Sequence, residues 1–558
     1  MYLRTISRRN KDGSVVRYLQ LAHNLWDPVT KQAKASVLYS FGREDQIDRD
    51  ALARLARSLT RLSEPSEAST AGTDLRFIES RSLGGAWVLD QLWHRLRIDT
   101  TIRRLLSGRK LDPRIERVLF ALVANRALDP LSKLAATQWV GERVAISGLD
   151  EVDEDTCYRA MDWLLEIEEP LAEAVYFATA DLLDLEVDLL FFDTTSTYFE
   201  TDEGDTVTDA ESGEVRVGFR TYGHSKDSRP DLPQVVIGMA VTRTGIPIRV
   251  WTWPGNTNDS ALIRQVRDDL RGWKLSRVVW VADRAFSSTE NRRYLQRAGG
   301  HYIVGEKLRG GNAEAEAVLA RPGRYRSVAG NLRVKEVVID DGTMRDRFVI
   351  CHNPEQAERD RSVREALVAQ LEKTIADSDG LPADVREEVA CRLHAKPAIR
   401  KWLRVTAGGR LRVDQAAVRA EERLDGKFLL RTSDPTLSAE DVALGYKQLL
   451  QVERGWRDMK STLDLRPVFH RKEERIRAHV LLCWLALLLI RIAENTANDT
   501  WRNLHNELDR IHRVTFAGPM GHCDQRTEVT PRQQAILRAL EIAEPPRFLS
   551  IEPAATSA

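Results

Sequence analysis

The pattern of hydrophobic and polar residues changes along the chain and separates a β-rich start from a helical stretch and a mixed remainder. Apolar and polar residues alternate around positions 18–21 and 35–39, so residues 1–63 are predicted to form a small β module that ends in a short helix. Residues 64–75 have the composition of a linker. Apolar residues in 76–184 recur at helical spacing without strand alternation, which predicts a helical domain.

From residue 185 onwards, short and nearly continuous apolar runs replace the helical spacing, as in strands that are covered on both faces. The predicted strands are residues 185–192, 234–243, 246–253, 278–282 and 301–304. A Thr-Gly pair between the second and third is a hairpin signal, while helix caps separate the later ones. A meander of three strands followed by two helical crossovers favours an α/β fold. Its mixed five-stranded sheet, flanked by helices, has an RNase H-like order in which the first and fourth strands are adjacent.

The same criteria divide the rest of the chain into an interrupted core and a tail. Residues 185–305 form the first part of the predicted core, and residues 306–432 form an α/β insertion domain. Residues 433–495 supply the second part of the core as a long helix that begins at about Ala439. Residues 496–558 remain as a C-terminal segment.

Composition predicts a folded protein of a reducing compartment. Hydrophobic residues make up 42% and charged residues 30% of the 558 residues, which suffices for a packed core. The formal net charge is zero, but residues 1–36 hold seven Lys or Arg against two Asp, and residues 101–118 hold six against two acids. Any nucleic-acid binding must therefore depend on local patches. Five scattered cysteines, an N-terminus without an apolar core and a short apolar run at 480–490 predict a cytoplasmic protein without a membrane span.

Two aspartates stand where predicted buried strands end. Asp193 follows the first strand and Asp283 follows the fourth. In an open α/β sheet this edge is where ligands bind, and if the two strands are neighbours the carboxylates converge there. Two such carboxylates repel each other unless a cation lies between them, and hard oxygen ligands favour Mg²⁺ or Mn²⁺. Each aspartate alone would more simply cap a turn, whereas the pair favours a metal site.

The predicted long helix carries Tyr446, Glu453 and Lys460 at intervals of seven residues. Seven residues of an α-helix return to nearly the same face, so the three side chains are predicted to form one stripe. A carboxylate between a phenol and an ammonium suits a metal ligand beside phosphate-binding groups. The spacing is equally typical of a solvated helix face.

Five segments, in this order, carry a family resemblance: FFDTTSTYFE (191–200), YGHSKDSRPDLPQVVIGMAV (222–241), WPGNTNDS (253–260), VVWVADRAFSS (278–288) and YKQLLQVERGWRDMKSTLDLRPVFHR (446–471). With them the chain resembles the DDE transposases of bacterial insertion sequences, whose third motif is Tyr-x2-Arg-x3-Glu-x6-Lys, and it is most similar to the insertion-sequence-1634 group. The Arg of that motif is Leu449 here, so its phosphate contact is absent or comes from Arg454 or Arg457.

The resemblance implies a metal-dependent DNA nucleotidyl transferase. Asp193, Asp283 and Glu453 would be the catalytic ligands of two divalent ions, Mg²⁺ or Mn²⁺, and Tyr446 and Lys460 would hold phosphates at the transposon end. Further candidate DNA contacts are the basic residues that flank the motifs, namely Arg284, Arg457, Arg466 and Arg471.

The resemblance also implies the partners. These are double-stranded DNA, as the terminal inverted repeats of the element and as target DNA, and a second copy of the chain in a homodimer on the ends. The expected location is the bacterial cytoplasm, at the nucleoid. Two alternatives remain open: an RNase H-like nuclease that cleaves without joining strands, and a catalytically inactive DNA-binding relic of a transposase.

Overall fold

A small antiparallel sheet begins the chain. The structure, a computed structural model, describes residues 2–9, 15–27, 32–47, 75–183, 189–208, 214–273, 278–309, 312–340, 345–466, 468, 470–519 and 521–553. The first sheet has the order β1-β2-β3 and contains β1 (Tyr2–Arg9), β2 (Val15–Asp27) and β3 (Gln32–Arg43). Its strands confirm the β-rich start, whereas the linker and nearly all of the short helix predicted before it lie outside the described residues.

A helical region follows. It contains β4 (Arg76–Ser82), α1 (Gly84–Arg95), α2 (Ile98–Leu106), α3 (Ile115–Leu128), α4 (Lys133–Gln138), α5 (Glu154–Glu166) and α6 (Glu168–Leu183), with a π-helical turn at Trp139–Arg143. The helices agree with the prediction, but residues 76–82 do not. They form a strand because β4 pairs with a segment more than 400 residues away, which supplies the hydrogen bonds that no local pattern reveals.

The structure has a strand at each of the five places predicted for the core, although residues 185–188 of the first prediction lie outside the described residues and that strand extends to Tyr198. The elements are β5 (Leu189–Tyr198), β6 (Thr206–Thr208), β7 (Val215–Val217), β8 (Gln234–Val241), β9 (Pro247–Pro254), α7 (Asp259–Arg271), β10 (Val279–Ala282), α8 (Thr289–Leu295) and β11 (His301–Glu306). The core strands have the order β11-β10-β5-β8-β9. β5 pairs in parallel with β10, so the first and fourth predicted strands are indeed adjacent.

The insertion region adds strands to this sheet. It contains α9 (Ala313–Ala320), β12 (Arg326–Ala329), β13 (Leu332–Asp340), β14 (Arg345–His352), α10 (Pro354–Asp379), α11 (Ala383–His394), α12 (Pro397–Arg400), β15 (Leu403–Val405), β16 (Leu411–Val413), α13 (Gln415–Glu422) and β17 (Lys427–Thr432).

The sheet therefore has nine strands, in the order β12-β13-β14-β17-β11-β10-β5-β8-β9, and the prediction of five was wrong. β17 pairs with the edge that β11 would otherwise leave open, and β14 continues from it. The helices of the insertion have a small core of their own around Leu371, Ile375 and Trp402.

The remainder of the chain contains α14 (Ala439–Lys447), α15 (Leu450–Ser461), α16 (Glu473–Ala497), α17 (Trp501–Leu508), β18 (His512–Gly518), β19 (Gly521–Arg526), α18 (Pro531–Ala539) and β20 (Phe548–Pro553). β20, β19, β18 and β4 form a four-stranded sheet. The prediction of one long helix from Ala439 was wrong, because the helix is interrupted after Lys447 and resumes at Leu450.

Helix α16 is the centre of the core. By length and composition it is apolar enough to cross a membrane, but 94% of its most apolar window is buried inside the protein, as in the core helix of a soluble domain. It packs against α3, α5 and β9 and so joins the helical region to the central sheet.

Candidate active site

The two aspartates singled out by the sequence lie at one edge of the central sheet. The parallel ladder between β5 and β10 ends with the pair Phe192 and Ala282, and Asp193 and Asp283 are the next residue of each strand. Both are half-buried. The apolar runs that precede them are buried on both faces, as in the central strands of a sheet. The first carboxylate of each segment therefore comes only after its apolar run.

A cleft of about 550 Å³ opens at this edge. Asp193, Asp283, Glu453, Tyr446 and Arg284 are all among the residues that line it. The structure thus brings five of the nine predicted site residues to one cleft, although they come from three distant parts of the sequence.

The carboxyl group of Asp193 lies in surroundings that disfavour its charged form. Burial raises the pKa of its carboxyl to about 6, and the nearby carboxylates of Asp283 and Asp259 act in the same direction. The Lys226 ammonium opposes the rise. That ammonium is shared, because Lys226 Nζ also forms an ion pair of 2.9 Å with Asp259 and donates to the Thr194 carbonyl at 2.7 Å. Asp193 is therefore a buried acid with incomplete charge compensation.

Tyr446 contacts the second aspartate directly. Its hydroxyl donates a hydrogen bond of 3.3 Å to Asp283 Oδ1, and its ring stacks on Phe428 with the centroids 6.2 Å apart. Burial, reinforced by Asp283, raises the pKa of the phenol, so it is a neutral donor near neutral pH. Gly305 makes room for this arrangement, since a Cβ there would lie 2.5 Å from the Tyr446 hydroxyl.

Glu453 lies in the first turn of α15 with its side chain exposed. Among the described residues its side chain has no hydrogen-bond or ion-pair partner, and the salt bridge to Arg457 that an i,i+4 spacing allows is not formed. Its carboxylate is therefore free to bind a ligand at the mouth of the cleft.

The predicted stripe of three side chains is not continuous. Because the helix is interrupted at Gln448 and Leu449, Tyr446 belongs to α14, while Glu453 and Lys460 share α15. Lys460 Nζ does not reach the cleft. It donates to Thr195 Oγ1 at 2.7 Å and to Asp227 Oδ1 at 2.9 Å, and burial lowers its pKa.

The motif arginine has no obvious replacement. Leu449, which stands in its place, is only 9% exposed and packs into the core at the wall of the cleft. Arg454 forms an ion pair of 3.1 Å with Glu494 and so faces away from the cleft. Arg457 is exposed and has no ion pair among the described residues.

The other predicted basic contacts differ in their surroundings. Arg284 lines the cleft and is exposed, and Arg471 is exposed beyond α15. Arg466 is held by Asp227 at 2.9 Å and lies over the Tyr198 ring, 5.0 Å from its centroid. The sequence analysis missed Asp227, whose only signal was its place within the 222–241 segment.

Comparison with known families decides the classification. The transposase DDE domain matches residues 202–489, and the N-terminal domain of IS1634 family transposases matches residues 3–70. The chain belongs to the IS1634-type DDE transposases. Asp283 and Glu453 lie within the first match, and Asp193 precedes it.

Two further comparisons, with curated proteins and with solved structures, add little to what the family models show about this transposase. No curated protein matches it in sequence. Among solved structures it is similar to a piggyBac transposase synaptic complex with hairpin DNA, at 12% identity and a TM-score of 0.35, over 76% of this chain and 78% of that one.

The chemical type of the possible metal ligands in the cleft of the transposase suits a divalent metal. All three are carboxylates, the ligands that Mg²⁺ and Mn²⁺ prefer, and Asp193 has a deficit of positive charge that a cation would remove. They are not gathered tightly, because no group of three or more His, Cys, Asp or Glu within the described ranges stands close enough to hold an ion. The residues fit the metal by chemistry and by location, with Glu453 the exposed member.

Proposed function

We propose that the chain is an active DDE transposase that cleaves DNA at the ends of its insertion sequence and joins those ends to a target. The observation that carries this proposal is that Asp193, Asp283 and Glu453 line one cleft. Family membership supplies the general chemistry, the cutting and joining of DNA.

An RNase H-like core is part of the proposal. Support comes from the five-strand order β11-β10-β5-β8-β9, with β5 and β10 parallel and β5, β8 and β9 in an antiparallel meander. In this arrangement both aspartates directly follow the end of the parallel ladder between β5 and β10, which gives a phosphodiester one charged place to approach.

Asp193, Asp283 and Glu453 are proposed to hold two divalent ions, Mg²⁺ or Mn²⁺. When bound, these ions supply the charge that activates the attacking oxygen and stabilises the leaving oxygen of an in-line displacement. The three side chains would orient these ions, and the reaction needs no protein nucleophile. The neutral Tyr446 hydroxyl fixes the rotamer of Asp283, and the exposed Glu453 completes the ligand set at the mouth of the cleft.

DNA phosphates are proposed to lie against Arg284 and Tyr446 in the cleft and against the exposed Arg457 and Arg471 next to it. Lys460 and Arg466 are each held by Asp227 at 2.9 Å, so they are not among the proposed phosphate contacts. The proposed partners are the terminal inverted repeats, target DNA and a second copy of the chain. The proposed location is the bacterial cytoplasm at the nucleoid.

The decisive experiment incubates the purified protein with labelled double-stranded DNA containing the ends of its element, with and without Mg²⁺. Asp193→Ala, Asp283→Ala and Glu453→Ala should each abolish strand cleavage and retain end binding. Glu440→Ala, which removes an exposed acid of α14, is the matched control and should cleave normally. Cleavage that persists in any of the three variants removes that residue from the site.

A strand-joining assay separates the alternatives. A transposase transfers the cut ends to a second duplex, a nuclease releases them without joining, and a relic binds ends but cleaves nothing with either metal.

A further inference from the structure

A loop runs beside the strand that bears Asp193 and ties it to the helix that bears Glu453. The ladder from β10 stops at Phe192, so the rest of β5 has no strand partner on that side among the described residues. The loop around Lys226 takes this place, and the Lys226 backbone N–H donates to Ser196 Oγ at 2.9 Å.

Successive side chains of this loop reach opposite faces of β5. Lys226 binds Thr194 and the carboxylate of Asp259 at the start of α7, whereas Asp227 joins Lys460, which in turn binds Thr195. Since neighbouring residues of a strand point to opposite faces, the two loop residues hold β5 from both sides.

Two spacings connect this contact to the cleft. Asp193 and Thr195 are two positions apart on β5 and so share one face of the sheet. Glu453 and Lys460 are seven positions apart on α15 and so share one stripe of the helix. Because Lys460 is bound at Thr195, Glu453 on the same stripe of α15 is brought towards Asp193 on the same face of β5. Both of those residues line the cleft.

The rotation of α15 about its axis therefore decides where Glu453 points. A slip of one residue turns a helix by about 100°, which would carry this carboxylate away from the aspartates. Glu453 itself has no partner that could fix its direction. Its direction therefore depends on how the rest of α15 is held. The buried face with Val452, Trp456 and Met459 holds the helix against the core, and polar contacts of Asp458 and Lys460 add to it.

Asp227 holds the C-terminal end of α15 by two contacts. Its Oδ1 is 2.9 Å from Lys460 Nζ and its Oδ2 is 2.9 Å from Arg466, just beyond the end of α15. The Asp227 and Lys460 side chains are each only 14% exposed, so the pair is not a solvated surface contact. Ser225 Oγ stiffens the loop by accepting hydrogen bonds from the backbone N–H groups of Asp227 and Arg229.

We propose that Asp227 is a positioning residue that, through Lys460 and Arg466, fixes the rotation of α15 so that Glu453 faces Asp193 and Asp283. The proposal rests on the metal-dependent function proposed above. It also gives the 222–241 segment a role that its sequence alone did not reveal.

A competing explanation makes Asp227 a stand-in for a DNA phosphate, to be displaced when DNA binds. The burial of the pair and of Thr195 beneath the loop favours positioning, because a phosphate reaches Lys460 only after the loop leaves β5. The two explanations predict opposite effects on DNA affinity.

The test uses the full chain with Asp227→Asn and Asp227→Glu. Asp231→Asn is the matched control, since Asp231 lies in the same loop and pairs with Arg229 at 2.8 Å on the surface. Three quantities are measured: affinity for end DNA, the single-turnover cleavage rate as a function of Mg²⁺ concentration, and hydrogen exchange of residues 450–461 in the free protein.

We expect Asp227→Asn to slow cleavage and to raise the Mg²⁺ concentration for half-maximal rate, each by about tenfold or more, as the loss of a residue that orients a metal ligand does. Exchange in α15 should be faster, and end affinity and the melting temperature should be close to those of wild type. Asp227→Glu should recover part of the rate, and Asp231→Asn should match wild type throughout.

Tighter end binding by Asp227→Asn with undiminished cleavage would establish the phosphate stand-in and overturn positioning. A loss of cleavage that only follows a loss of folded protein would overturn it as well. If wild type itself cleaves nothing, the proposed function fails, and the exchange measurement still decides whether Asp227 restrains α15.

Discussion

The Tyr446 hydroxyl donates to Asp283 Oδ1 across 3.3 Å, between residues that are 163 positions apart in sequence. A neutral donor that holds one oxygen of Asp283 leaves the other oxygen for the proposed ion. This contact makes Tyr446 an orienting group as well as a candidate for binding phosphate.

Replacing Tyr446 by Phe should slow cleavage by about tenfold, because partners that orient metal ligands typically contribute this much or more. The free energy of unfolding should fall by only about 1 kcal/mol, the usual net value of one hydrogen bond. Tyr222→Phe is the control, since the Tyr222 hydroxyl donates to the Asp202 carbonyl on the surface. Equal cleavage rates in the two variants would contradict an orienting role.

Gly305→Ala should impair cleavage through the same tyrosine. The added Cβ would lie 2.5 Å from the Tyr446 hydroxyl, which must move away from Asp283. In a Tyr446→Phe background the same change should do much less harm, and a double-mutant cycle of cleavage rates measures this coupling. Gly330→Ala, at a position with nothing within 4 Å, is the control. Additive effects at positions 305 and 446 would show that the two residues act independently.

Divalent metal should stabilise the wild-type fold, because a ligand that binds only the native state raises its melting temperature. Asp193→Asn should lose most of this increase. In EDTA the variant should be at least as stable as wild type, since a buried charge next to Asp283 has been removed. Thermal denaturation with and without Mg²⁺ measures both effects, with Asp231→Asn as the exposed control. An unchanged increase in Asp193→Asn would exclude this residue as a ligand.

Stability should also depend on pH through Lys133, a lysine buried at the start of α4. Burial, reinforced by the charge of Arg126, lowers its pKa from 10.5 to about 7. Between these values the unfolded chain binds a proton that the folded chain releases, so the free energy of unfolding should rise with pH across this window. Each pKa unit corresponds to about 1.4 kcal/mol.

Lys133→Met should flatten that rise and increase stability at pH 7, as measured by chemical denaturation at several pH values. The exposed Lys373→Met is the control. Two neighbours add a separate effect in acid: burial lowers the pKa of His470 to about 4 and that of His479 well below 6.5, so stability should fall below pH 6.5 in both proteins. The same alkaline slope in Lys133→Met and wild type would contradict the assignment to Lys133.

Local patterns predicted the strands that lead to Asp193 and Asp283, because a buried parallel strand is a continuous apolar run, but they did not reveal that β5 continues to Tyr198. They failed where distant contacts decide the structure. Residues 76–82 become a strand only by pairing with β18. The interruption at Gln448 and Leu449 contains neither glycine nor proline. Both residues keep helical dihedral angles but form tighter i→i−3 hydrogen bonds, and Leu449 is buried there by contacts that no local pattern reveals. The role of Asp227 depends on side chains from β5 and α15, so no pattern within its own segment could reveal it.

Strand β17 bonds to β11 on one side and to β14 on the other, so an unbroken ladder runs from the insertion to the strand before Asp283. Such a ladder resists hinge bending across it, because bending would break several backbone hydrogen bonds at once. The strands of the insertion and the floor of the cleft thus belong to one continuous, stiff sheet. A duplex that contacted both would have to adapt its own curvature to the spacing that this sheet imposes.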